Sequence, residues 1–256
     1  NTEDYVSWNW KAGTTTGIVG SPSITPTAYS INATAGFSII GYTGNGVAGA
    51  TIPHGLPSAP TCVLTKKRVT GTDAWQFGHD WLNSGTNPWT GDLQLDKNDA
   101  FYAAAIYWND TAPTSTLVSF GTGSGSNQSG GTYVAYCFTD IQGYSKFGNY
   151  TGNGTNNGQF VYLGFRPAFV LTKREDSTTN FVIYDNKRAG YNGLNNFFYA
   201  NLTNAADTSN PISSYFLSNG WKAYNLVSQV DGGKYIYMAF AESPFVNAEG
   251  VPVNAR

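Results

Sequence analysis

The amino-acid sequence predicts an all-β protein: two tandem antiparallel β-sandwich repeats of jelly-roll or lectin-like type, with an extra N-terminal strand. Three observations carry that expectation. Charged residues are only 12% of the chain and aromatics reach 15%, and a chain so poor in charge and rich in rings folds rather than staying disordered. Strand-favouring Val, Ile, Thr and aromatics are abundant, while the residues that build long helices are scarce. The chain also repeats itself.

The repeat rests on landmarks that recur in the same order. Gly36-Phe37-Ser38 returns as Gly143-Tyr144-Ser145, and Tyr42-Thr43-Gly44-Asn45-Gly46 returns as Tyr150-Thr151-Gly152-Asn153-Gly154. Pro60–Lys66 (PTCVLTK) returns as Pro167–Lys173 (PAFVLTK), and Gly130–Phe138 returns as Gly232–Phe240. These landmarks divide the chain into an N-terminal strand and linker (1–31), a first repeat (32–142) and a second repeat (143–256).

Taken in chain order, Tyr5–Trp10 (YVSWNW) echoes the closing strand of each repeat, as if it ended an upstream unit. Asn1-Thr2-Glu3-Asp4 has neither the basic nor the apolar stretch of a signal peptide, and the missing initiator Met suggests a fragment or a trimmed chain. Ser21–Pro26 (SPSITP) reads as a linker. The two Thr-Gly-Asn-Gly runs read as tight hairpins needing positive φ, and Gly121–Gly131 as a flexible low-complexity loop. The closing strands alternate with period two, so Val134, Tyr136 and Phe138, their counterparts Ile236, Met238 and Phe240, and Val6, Trp8 and Trp10 are expected on the core face. Cys62 and Cys137 correspond to Phe169 and Ala239 in the other copy, so both are expected to be buried free thiols.

Chemistry-bearing patterns are sparse. The net charge is −2, with no basic stripe, which argues against nucleic acid. No apolar run is long enough to span a membrane. His54 and His79 are expected at the surface or in loops, with no clustered His and Cys for zinc. Asp80, Asp92, Asp96 and Asp99 fall in one loop without matching acids in the second copy. They read as solvated loop acids, a calcium site being the lesser alternative, and they do not form the paired carboxylates of a glycosidase. No enzyme activity, cofactor or metal is expected. What remains is aromatic display: Trp81 and Trp89 in one divergent loop, and Tyr191 and Tyr199 in the other, among Asn and Gly. Rings beside amides suit carbohydrate. The competing expectation, and the one favoured by residue type alone, is that the same rings anchor long loops onto the sandwich.

Six segments carry a family resemblance: Tyr5–Gly13, Gly36–Gly46, Gly131–Gly154, Gly164–Arg174, Phe216–Trp221 and Tyr235–Phe245. In them the chain resembles an uncharacterised repeat-bearing domain family of marine tailed phages, including those of cyanobacteria. The resemblance implies the C-terminal region of a tail-fibre or other virion-appendage protein, outside the cell, with other virion subunits and a host-surface glycan as partners and a homotrimer as an option. It brings no catalytic or ligand residue. Its rivals are a capsid-decorating or purely structural virion protein and a glycan depolymerase.

Overall fold

The computed structural model describes residues 6–11, 13–69, 73–188, 196–206, 213–224 and 230–243. Its elements are nearly all strands. The first half holds β1 (Ala28–Asn32), β2 (Phe37–Thr43), β3 (Ala50–Pro53), β4 (Cys62–Lys67), β5 (Gln76–His79), β6 (Gly91–Gln94), β7 (Tyr102–Ala103), the one-turn helix α1 (Ala105–Trp108), β8 (Leu117–Phe120) and β9 (Thr132–Phe138). The second half holds β10 (Ser145–Thr151), β11 (Phe160–Tyr162), β12 (Pro167–Arg174), β13 (Val182–Asp185), β14 (Phe198–Tyr199), β15 (Ser213–Leu217), β16 (Gly220–Tyr224) and β17 (Lys234–Ala241).

Each half pairs a large antiparallel sheet with a small one. The large sheets run β1-β2-β9-β4-β5-β6-β7 and β10-β17-β12-β13-β14; the small ones are β3-β8 and β11-β16-β15. The landmark segments occupy matching places. The strand ending in Tyr-Thr lies beside the closing strand, with Thr43 opposite Thr132 and Thr151 opposite Lys234. The Val-Leu-Thr-Lys strand lies on the closing strand's other side in both sheets. The two Thr-Gly-Asn-Gly runs are not hairpins. β2 and β3 belong to different sheets, so the first run carries the chain across the sandwich, and the second does the same between β10 and β11. Gly46 and Gly154 sit at φ +71° and +66°, where glycine is the residue without a Cβ penalty.

Three cores follow from the strand period. In the first half, Tyr42, Val63, Tyr133, Ala135 and Cys137 face Ile52, Val118 and Phe120 of the small sheet. In the second, Tyr150, Val170, Tyr184, Tyr235 and Ala239 face Val161, Phe216 and Trp221. The third core joins the halves: Phe37, Cys62, Leu64, Phe77 and Phe138 pack against Phe147, Leu171, Phe181, Ile236, Met238 and Phe240. The two large sheets are therefore the inner layers of a four-layer stack. The closing-strand face expected to be core is buried, but between the halves, and the opposite face is core as well. Tyr136, Phe138, Met238 and Phe240 line the seam between the halves, while the face passed over in the sequence holds the core within each half.

The expected N-terminal strand is absent from the described residues: 6–11 form no ladder, and the nearest bridge pairs Thr14 with Ile31. Trp8 and Trp10 instead cap the seam edge-on, with Trp10 5.3 Å from Phe240 and Trp8 5.5 Å from Phe169. Their apolar faces are buried without strand pairing because the seam already offers four rings to pack on. The Ser21–Pro26 segment is bound to β3: Ser23 and Thr51 exchange hydrogen bonds, and Ile24 N–H donates to Thr51 O at 2.9 Å. Nor is the Gly121–Gly131 segment a loose loop. Ser126 and Asn127 are fully buried, and the Tyr133 hydroxyl donates to Ser124 O at 2.6 Å. Short polar side chains let this turn-rich segment satisfy its own backbone inside the fold.

Both cysteines are free and buried. They lie on opposite faces of the large sheet, Cys137 in the first core and Cys62 in the seam, where its Sγ is 3.8 Å from Met238 Sδ. Burial raises both thiols, Cys137 to about 12.

Candidate functional site

The four rings singled out from sequence part company in the structure. Trp89 is core, 2% exposed, and donates from Nε1 to Asp80 Oδ1 at 2.7 Å; its ring stands edge-on to Trp108. It cannot stack on a ligand. Tyr199 is half-buried on β14, edge-on to Phe197, and packs against the second core. Tyr191 lies outside the described residues. Of the three described, Trp81 alone is substantially open, at 42%.

The chain holds Trp81 out by a costly piece of backbone. Asn83 and Ser84, which follow it, are both left-handed (φ 51° and 58°), a conformation non-glycine residues adopt at some expense. Glu175 of the second half fixes this turn, accepting the Ser84 N–H at 2.9 Å and the Ser84 hydroxyl at 3.2 Å. The Trp81 N–H donates to His79 Nδ1 at 3.2 Å. His79 is fully buried, contrary to the surface position expected, and burial holds its pKa down at about 3 against a weaker opposing pull from the Tyr237 backbone. His54 is buried too, with Nδ1 accepting the Leu56 N–H. Both rings are thus neutral parts of the framework.

Trp81, from the first half, lines a cleft of about 620 Å³ between β10 and β11 of the second half. One wall is the edge of β10, from Lys146 to Thr151; the other is β11 with Gln159; Tyr150, Val161 and Tyr237 form the floor. Phe160 and Tyr162 point outward on either side of buried Val161, 37% and 59% exposed. Lys146 Nζ donates to Tyr162 O at 2.8 Å and sits 5.2 Å from the Tyr162 ring centroid. Asp140 also lines the cleft, and its Oδ1 accepts the Phe147 N–H at 2.8 Å. The residue is open to solvent along the cleft, yet its carboxyl is crowded from the protein side, and that loss of hydration pushes it up to about 6. The cleft therefore offers three exposed rings, one ammonium, one weakly acidic carboxyl, and the polar side chains of Asn149, Thr151 and Gln159.

Sequence reasoning missed Phe160 and Tyr162. The available signal was the Phe-Val-Tyr alternation, which places two rings on one face of a strand. Its counterpart β3 (ATIP) has no ring at all. The acids also differ from expectation. Asp92 is fully buried, its Oδ1 accepting from Phe77 N–H and Trp108 Nε1, and burial lifts its pKa far above the usual carboxylate range. Asp80 is partly buried with its pKa raised by the same cause. Asp96 does face solvent, capping the Trp75 N–H. Among the described residues no group of three or more His, Cys, Asp or Glu could hold a metal ion. No helix among them is long and apolar enough to cross a membrane.

Comparison with known families matches residues 1–244 to the model described as a domain of unknown function, DUF7483. The chain belongs to that family. No curated protein and no solved structure matches it.

Proposed function

We propose that this DUF7483 member is a virion-surface module of the tail-fibre or appendage kind, and that it makes its contact through the cleft between β10 and β11. The virion setting rests on the six resembling segments, Tyr5–Gly13 through Tyr235–Phe245. The contact site rests on one observation: Trp81, Phe160 and Tyr162 converge, exposed, on a cleft of about 620 Å³. Exposed aromatics gathered at a concave site mark binding surfaces.

The test is direct. Antibody labelling of intact particles should find the protein on an external appendage. The double variant Trp81→Ala with Tyr162→Ala should lose attachment to its partner or to cells while melting within a degree or two of the parent. Internal labelling, or attachment that survives in the folded double variant, would refute the reading.

A second reading, binding of a host-surface glycan in the same cleft, is favoured by the neighbourhood of the rings. Asn149, Thr151 and Gln159 could bond sugar hydroxyls while a ring packs on C–H groups. Glycan retention by the parent and not by Trp81→Ala would support it.

A further inference from the structure

The groove between the edge of a large sheet and the edge of a small one occurs twice in this molecule. In the first half the chain fills it. Ser23 and Ile24 bond to Thr51 on β3, Thr27 N–H donates to Gly41 O on β2 at 2.7 Å, and β1 pairs along β2 from Ala28↔Gly41 to Asn32↔Phe37. Ile24 and Ile31 are driven into the core, 5% and 6% exposed. In the second half the same groove, between β10 and β11, is the cleft. The chain passes from Phe138 at the end of β9 to Ser145 at the start of β10, too short a connection to supply a strand.

The edge of β10 is ready for one. Gly152 and Tyr144 bond to β17 at its two ends, so in antiparallel alternation the even-numbered residues between them face β17 and the odd-numbered ones face the cleft. Ser145 is occupied by Ile141, and the Phe147 N–H by Asp140. Among the described residues, the main-chain groups of Asn149 and Thr151 on that side have no hydrogen-bond partner. These positions match Gly41 and Thr43 of β2 by their pairing with the closing strand.

We propose that the cleft is an acceptor for an extended polypeptide strand donated by a partner subunit, laid antiparallel along β10 as β1 lies along β2. This rests on the cleft being the contact site. The equivalent groove of this chain takes polypeptide, and an open edge supplies directional main-chain bonds. The donor should alternate polar and apolar residues, with a β-branched side chain in the place of Ile24 or Ile31, set over Tyr150, Val161 and Tyr237.

The test selects from a displayed library of random dodecapeptides on the whole chain and maps the enriched peptides by amide hydrogen exchange. Enriched sequences should alternate, and the Asn149 and Thr151 amides should slow on binding. Asn149→Pro should weaken binding by about tenfold or more, because proline removes the outward N–H while leaving the β10–β17 ladder intact. Three results overturn the proposal: no peptide enriched, protection elsewhere, or full binding by folded Asn149→Pro. If Asn149→Pro does not fold, the exchange map on the parent decides alone. If no peptide binds but neutral oligosaccharides do, and Trp81→Ala with Tyr162→Ala still abolishes attachment, strand docking falls and the contact site stands.

Discussion

Asn127 and Asp231 hold the same turn in the two halves, and they do it with opposite hydrogen-bonding demands. In the first half, Asn127 accepts the Asn45 N–H through Oδ1 and donates from Nδ2 to the carbonyls of Val47 and Gly121. In the second, Asp231 accepts three N–H groups, from Asn153 and Gln159 on Oδ1 and from Thr155 on Oδ2. Both residues are fully buried. The surrounding pattern is shared: Gly46 and Gly154 donate to the carbonyls of Asn127 and Asp231, and Tyr42 and Tyr150 send their hydroxyls to Ser126 and Val230. One turn therefore carries two loops that approach it with different main-chain faces. An amide can serve a mixed set of donors and acceptors, whereas three inward N–H groups require a carboxylate.

Breaking this comparison gives the largest expected effect. Asp231→Ala removes a buried acceptor from three part-buried N–H groups and should cost about 4 kcal/mol in denaturant unfolding. Asn127→Ala should cost about 3 kcal/mol by the same account. The exchanges are more telling. Asn127→Asp sets a carboxylate against two carbonyls, and Asp231→Asn turns an NH₂ toward an N–H, so each should destabilise by about 2 kcal/mol despite near-identical shape. Exchanges that are both neutral would show that the turn does not distinguish donors from acceptors.

These residues also mark where the sequence was legible. The positive φ at Gly46 and Gly154, the Pro-x-x-Val-Leu-Thr-Lys strands and the free thiols were readable because glycine placement, alternation and the counterparts of Cys62 and Cys137 are local signals, whereas the hairpins expected at the Gly-Asn-Gly runs were not formed because the flanking strands belong to different sheets. The closing strands were read as having one core face, but they have two, because both faces are apolar and both are buried. Alternation separates two faces but cannot tell an inner core from a seam when two large sheets stack. His79, Asp92 and Asn127 were unreadable for another reason. A buried polar residue is identified by remote main-chain partners, and those of Asn127 come from Asn45, Val47 and Gly121. Trp8 and Trp10 alternate like a strand yet make no ladder, since packing on Phe169 and Phe240 needs no pairing.

A second contrast between the halves concerns charge. His79, opposite Cys62, and Asp185, opposite Phe169, end matching strands. Asp185 is ion-paired with Arg188 and accepts the Lys187 N–H, while His79 is buried neutral with its pKa near 3. The unfolded chain protonates His79 near pH 6.5 and the folded chain only near 3, so stability is lost as pH falls through that interval. From pH 7 to pH 4 the loss from this residue should be roughly 3 kcal/mol. Asp80, Asp92 and Asp140 have raised pKa values and oppose it at acid pH. The measurement is therefore the difference between the parent and His79→Asn, whose Oδ1 can still accept the Trp81 N–H. Equal slopes for the two proteins would show that His79 is not the acid-sensitive group.

The smallest effect on stability separates the two tryptophans that looked alike in sequence. Trp89 fills the space beside Gly78, where a Cβ would meet its ring at 2.3 Å, and it bonds Asp80. Its replacement by Ala opens a cavity in the first core and frees a partly buried carboxyl, which should cost about 4 kcal/mol. Trp81 is 42% exposed in the cleft, and the anchors of its turn, the His79 ring on its own N–H and the Glu175 carboxyl on Ser84, do not depend on its side chain. Trp81→Ala should therefore shift unfolding by less than about 0.5 kcal/mol. The functional ranking should be the reverse: Trp81→Ala impairs attachment, whereas Trp89→Ala loses it only in proportion to unfolded protein. If Trp81→Ala instead lowers the melting temperature by several degrees and leaves attachment whole, the strained turn at Asn83 and Ser84 exists to seat a structural ring, and the cleft loses its leading contact.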